Sequence, residues 1–91
     1  MTTHLAEFVY ACSGRDAAKC FIVISCGTDC LYICNGKNRS VKKPKKKNPK
    51  HLRFTGTRAD KLYDALSNGQ EITNKMVRYA VRKYEEENIG I

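Results

Sequence analysis

CLYICNGKNRSVKKPKKKNPKHLRFT, residues 30–55, sets a short apolar run, an Asn-Gly pair, a block of positive charge and a second apolar run in direct succession. The first run, residues 30–34, has the aromatic and β-branched content of a strand. Asn35-Gly36 between two β-prone runs predicts a two-residue type I′ hairpin, whose central positions both need positive φ. That register sets Cys34 opposite Lys37, Ile33 opposite Asn38 and Tyr32 opposite Arg39, so Lys37 and Arg39 begin the returning strand. Pro44 and Pro49 each lack an N–H and push the preceding residue toward extended geometry. With the lysines repelling one another, residues 41–50 are expected as an extended, polyproline-like loop displaying its ammonium groups. Residues 51–55, HLRFT, return to strand periodicity, with Leu52 and Phe54 on one face and Arg53 on the other.

Residues 37–53 hold nine of the chain's 17 Lys and Arg residues and no Asp or Glu. The other 74 residues carry eight bases against nine acids, so the chain's net charge of +8 resides in this one segment. A block of like charge does not pack into a core, and its natural partner is a polyanion, nucleic acid first. Before Pro44 the candidate contacts are Lys37, Lys42 and Lys43; after it they are Lys45, Lys46, Lys47 and Lys50. Lysine suits sequence-independent contact with phosphates, whereas Arg15, Arg39 and Arg53 add bidentate or stacking capacity. Lys19 joins Arg15 in a polar loop nearer the N-terminus. Tyr32 is a candidate for stacking on a base if it faces outward.

The flanking sequence supplies a framework. Residues 5–11, LAEFVYA, read as a short strand that breaks at Ser13-Gly14. Residues 20–26, CFIVISC, are apolar on both faces, as in a strand of a small barrel. After Gly56 the period becomes helical. Ala59, Leu62, Tyr63 and Leu66 form a stripe, with Thr57 as N-cap and Asn68-Gly69 as the stop. A second helix starts at Thr73, with Ile72 and Val77 in staple positions and Met76, Val77, Ala80, Val81 and Tyr84 as its stripe. Glu85, Glu86 and Glu87 oppose the helix dipole at its end and predict fraying there. The expected architecture is mainly β with α: a small barrel of about five short strands over residues 1–56, with the basic segment 37–53 as one of its loops. Residues 57–91 then form a helical pair packed on the barrel.

Catalysis and metal chemistry find little support in the sequence. No glycine-rich phosphate cradle and no pair of carboxylates stands out. Cys12 with His51 is the one conceivable nucleophile pair. Five cysteines, an odd number, argue against a disulfide framework. Cys20, Cys26, Cys30 and Cys34 are the alternative metal ligands, but they lack the closely spaced pairs of structural zinc sites. No metal and no cofactor is expected. The N-terminus has no basic region leading into an apolar one, so the reading is a cytoplasmic protein without a signal peptide, acting as a monomer.

Three segments carry a family resemblance: SGRDAAKCFIVIS (13–25), LYICNGKNRSVKKPKKKNPKHLRFTGT (31–57) and NGQEITNKMVRYAV (68–81). Together they resemble the small KOW-domain RNA-binding proteins of bacteria, which are similar to KOW-containing large-subunit ribosomal proteins of archaea and eukaryotes. The resemblance implies an SH3-like barrel, RNA as the polyanion, with ribosomal RNA or ribosomal subunits as partners, and a role in translation. There is one departure: Ala17-Ala18 stand where the family has Lys-Gly. This weakens the first loop as an RNA grip and is expected to relax the backbone at Ala18.

Two other partner classes bear on the same residues. Lys75, Arg78 and Arg82 on the second helix would be the reading face of a DNA-binding helix-turn-helix; as plain packing residues they lie beside the apolar stripe and are solvated. An acidic protein would also suit the basic segment. A membrane would not, because no Leu, Phe or Trp interleaves with the lysines.

Overall fold

Cys20–Cys26 is the central strand, β2; its first four residues are buried on both faces, whereas Ser25 and Cys26 at its end are exposed. The computed structural model describes residues 4–12, 14 and 17–88. Around β2 lie β1 (Glu7–Ala11), β3 (Leu31–Cys34), β4 (Lys45–Lys47) and β5 (Leu52–Arg58). They form one antiparallel sheet in the order β4-β3-β2-β1-β5, and two helices follow, α1 (Asp60–Ser67) and α2 (Asn74–Glu87).

Alternation along the strands sorts the core into two clusters. Phe8, Cys20, Ile22 and Cys34 face the helices and meet Leu62, Ala65, Val77 and Val81. Val9, Phe21, Val23, Leu31, Ile33 and Leu52 point to the other side. No helix contributes to that second cluster, yet Val9, Phe21, Val23 and Ile33 have no exposed surface. The sheet therefore curls around its own side chains. Register shifts between Glu7 and Val9 and between Val23 and Ser25 supply the bends, since a bulge increases local twist. The curl stops short of closure: β4 and β5 are the two outer strands and do not pair. In place of the expected small barrel stands an open, curled five-stranded sheet.

The expected Asn-Gly hairpin is not formed. β3 pairs instead with β4, placing Leu31, Tyr32 and Ile33 opposite Lys47, Lys46 and Lys45. Gly36 has the positive φ, +77°, that the sequence promised. Asn35 is not its partner in a two-residue turn, however. Its buried side chain accepts hydrogen bonds from the N–H groups of Lys37 (3.0 Å) and Arg39 (3.1 Å), and its amide donates to Asn38 Oδ1 (2.8 Å). An Asn side chain that mimics backbone in this way opens a wider loop, and Lys37 and Arg39 lie in that loop and not on a strand. The polyproline-like expectation for residues 41–50 is corrected as well. Lys45–Lys47 are a ladder strand, and Pro49 opens a 3₁₀ turn, Pro49–His51, capped by Asn48.

The helices follow the sequence closely, with corrections at their ends. β5 runs on to Arg58, tied to β1 by the Glu7–Arg58 pairing and by Gly56 N–H donating to Glu7 Oε2 (2.9 Å). Ala59, not Thr57, therefore caps α1, without a side-chain bond. At its C-terminus Gly69 (φ +72°) closes the helix: its N–H reaches Leu66 O and the N–H of Gln70 reaches Ala65 O, the paired bonds of a Schellman motif. Thr73 caps α2 by accepting from Met76 N–H (3.1 Å), and Ile72 and Val77 are both buried as the staple requires. Met76 leaves the expected stripe and is exposed. α2 is helical to Glu87, its last turns held by Tyr84 stacking on Phe8 (4.4 Å) and by Asn88 donating to Tyr84 O.

Candidate nucleic-acid interface

β4 is the first component of the site. Among the described residues its only sheet neighbour is β3, so its other edge pairs with no described strand. Three lysines in a row on an outer strand repel a second strand that might dock there. Opposite residues share a face, so Lys46 stands with Tyr32, whereas Lys45 and Lys47 stand with Ile33 and Leu31. Lys46 is exposed; Lys45, Lys47 and Tyr32 are half-buried. Lys47 Nζ reaches the β1–β2 loop, 3.9 Å from where a Cβ on Gly14 would stand. Lys42, Lys43 and Lys50 are exposed on the segments flanking β4.

The second component is a groove of about 610 Å³ between α2, the turn at residues 35–38 and residues 18–20. Five cations line it: Lys19, Lys37, Lys75, Arg78 and Arg82. Among the described residues Glu85 is the one acid in its wall, Tyr79 stands at its edge, and Cys20 and Val81 are at its base. Among the described residues no carboxylate lies within ion-pair distance of Lys37, Lys75 or Arg82. The spacing 75, 78, 82 puts these three bases on one helix face, and that much was readable in the sequence. What they face was not. It depends on how α2 docks, which Gly36 governs. Arg78 Nη1 donates to Gly36 O (2.7 Å), and Asn74 Oδ1 accepts from Val41 N–H (2.8 Å). The first turns of α2 thereby clamp the basic loop and close one side of the groove.

The expected contacts thus divide. Lys19 and Lys37 line the groove, and Lys42, Lys43, Lys45, Lys46, Lys47 and Lys50 lie on or beside β4. Arg39 is bound into the turn through its backbone. Arg53 is exposed but its guanidinium lies 4.8 Å over the Tyr10 ring, which occupies its stacking face. Arg15 lies outside the described residues. Ala18 keeps the left-handed conformation, φ +66°, so the expected relaxation there does not occur. Its N–H donates to Ala11 O (2.9 Å), and that bond holds the turn in the shape a glycine would adopt freely.

Cys20 and Cys34 are buried packing groups. Burial pushes Cys20 up to about 12, with Glu85 adding to the rise and a hydrogen bond to Tyr10 opposing it. Burial alone pushes Cys34 to about 12. Neither is a nucleophile at neutral pH. Cys34 pairs with Ile22, and Cys26 lies four residues further along β2, roughly 13 Å away at strand rise. The alternative set Cys20, Cys26, Cys30 and Cys34 therefore spreads along a ladder and cannot converge on one ion. Cys12 and His51 meet through the backbone, Cys12 N–H donating to His51 O (2.9 Å).

Compared with known proteins, the chain matches no family model and no curated protein. Among the described residues no helix is long and apolar enough to cross a membrane.

Proposed function

We propose that this protein is a non-catalytic RNA-binding protein that docks on a phosphate backbone through its lysine-rich segment and works in the cytoplasm, on the ribosome or around translation. One observation carries the reading: the chain's excess charge is mounted on a framework. Lys45, Lys46 and Lys47 are held by the ladder with β3, and residues 35–41 are held by Asn35, Asn74 and Arg78. Lysines anchored on an ordered backbone present charge at less entropic cost than a loose tail. The curled sheet with a doubly covered β2 suits an SH3-like KOW framework, and the sequence resemblance supplies RNA as the polyanion. Against a helix-turn-helix stands the placement of Arg78, which is spent on Gly36 O, and of the α2 basic face, which is walled by residues 35–38. A recognition helix needs that face free to enter a major groove.

The test is co-sedimentation of the native protein with ribosomal subunits at low and high salt, alongside filter binding to structured ribosomal RNA and to duplex DNA. Association with subunits at low salt and its loss at high salt are expected. No association at low salt, or sequence-selective binding to duplex DNA equal to that for RNA, would sink the reading.

A further inference from the structure

Two kinds of basic surface meet on this molecule, and they differ in shape. β4 is an open edge. The groove beside α2 is walled on both sides, and its volume of about 610 Å³ lies in the range of sites that enclose a small ligand. A duplex is too wide to enter such a space; a nucleotide unit of an unpaired strand is not. The walls carry phosphate-binding groups on opposing sides: Lys19 and Lys37 from the sheet loops, Lys75 and Arg82 from α2. At the edge stands Tyr79, 59% exposed and projecting from the middle of a helix. An exposed aromatic ring beside a cationic groove is the combination that holds single strands, the cations following the backbone and the ring taking a base.

We infer that this groove binds an unpaired RNA segment, with phosphates between the Lys19–Lys37 wall and the Lys75–Arg82 wall and a base stacked on Tyr79. The inference rests on the RNA reading and adds to it. β4 and its flanking lysines take a phosphate backbone of any form, whereas the groove selects RNA in which a single-stranded stretch adjoins the structured part. Lys47 reaches the β1–β2 loop near Gly14, and Lys19 of the same loop lines the groove, so the two surfaces are adjacent.

The chain has no tryptophan, so Tyr79→Trp introduces a lone indole reporter at the groove edge. Titration with hexauridylate is expected to quench its emission saturably. Lys75→Gln with Arg82→Gln should weaken that binding by about tenfold or more, as two phosphate contacts are lost. Tyr79→Ala should weaken hexamer binding by roughly 5- to 150-fold, the range for loss of a stacked base, and duplex RNA binding far less. If duplex RNA binds but hexauridylate leaves the indole emission unchanged, or Tyr79→Ala retains hexamer affinity within about twofold, the groove assignment is wrong while the general RNA reading survives. Equal quenching by a heparin hexasaccharide, which has no base, also overturns it. If neither RNA binds, both readings fall together. Circular dichroism of each variant separates loss of binding from loss of fold.

Discussion

Arg78 Nη1 donates to the carbonyl oxygen of Gly36 at 2.7 Å, joining the helix that walls the groove to the loop that opens the basic segment. The backbone of α2 lies so close to Gly36 that a Cβ there would stand 2.5 Å from Asn74 O and 2.8 Å from Arg78 Cγ. Gly36→Ala therefore meets a clash with backbone and a left-handed φ of +77° at once. The expected cost is about 2–4 kcal/mol, read as a lowered urea midpoint. Arg78→Met should cost about 1–2 kcal/mol, because it leaves the Gly36 carbonyl without its charged donor. Equal stabilities for wild type and Gly36→Ala would refute the described docking of α2.

Ala18 offers the opposite prediction. It is exposed and sits at φ +66°, a conformation that costs an L-residue roughly 1–2 kcal/mol. Glycine removes that strain and returns part of the gain as unfolded-state entropy. Ala18→Gly is expected to stabilise the protein by about 0.5–1 kcal/mol, a rise of several degrees in Tm for a domain of this size. A fall in Tm would mean that the turn is not left-handed there.

If about five of the basic groups of residues 37–53 touch phosphates, log K for RNA should fall with log salt with a slope near −4. Replacing Lys42, Lys43, Lys45, Lys46 and Lys47 together by Gln should make that slope markedly shallower, the groove cations keeping the remainder. RNA affinity and slope that survive the replacement would remove the lysine-rich segment from the site.

Cys20 and Cys34 keep their protons in the folded state up to about 12, against an ordinary value of 9.0. In the unfolded chain they ionise near the ordinary value, so above it the folded state binds more protons than the unfolded one. Their contribution to stability is full below about pH 9 and is lost as pH rises toward 12, by about 1.4 kcal/mol per pH unit for each thiol. Urea midpoints compared at about pH 8 and about pH 10.5 should show the loss, and Cys34→Ala should remove about half of it. In native protein a thiol reagent should modify the exposed Cys12 and Cys26 at once and reach Cys20 and Cys34 only on unfolding.

What the sequence made legible was local. The bounds of β2 follow from an apolar run between turn residues, the stop of α1 from Gly69 and the start of α2 from Thr73, because caps and periodicity are set within a few residues. β4 was hidden because nothing in Lys45, Lys46 and Lys47 alternates. They form a strand because β3 offers them a ladder, and charge says nothing about that. Asn35-Gly36 misled for a related reason. The pair supplies positive φ at Gly36 whichever loop it closes, and the choice of the wider loop rests with Asn74 and Arg78, about forty residues downstream. The groove was illegible on the same ground: three of its five cations were visible as one helix face, but the opposing wall exists only once α2 has docked.

The outer edge of β4 has a colloidal consequence. Its lysines repel any second copy that would add a strand there, so association through this edge is opposed by the same charges that would attract a polyanion. A polyanion that covers them removes that opposition. At about eight phosphates per chain the complex carries no net charge, and the repulsion that keeps copies apart vanishes. Solubility should therefore pass through a minimum at that ratio and recover on either side, with turbidity tracing charge balance rather than saturation of the binding surface.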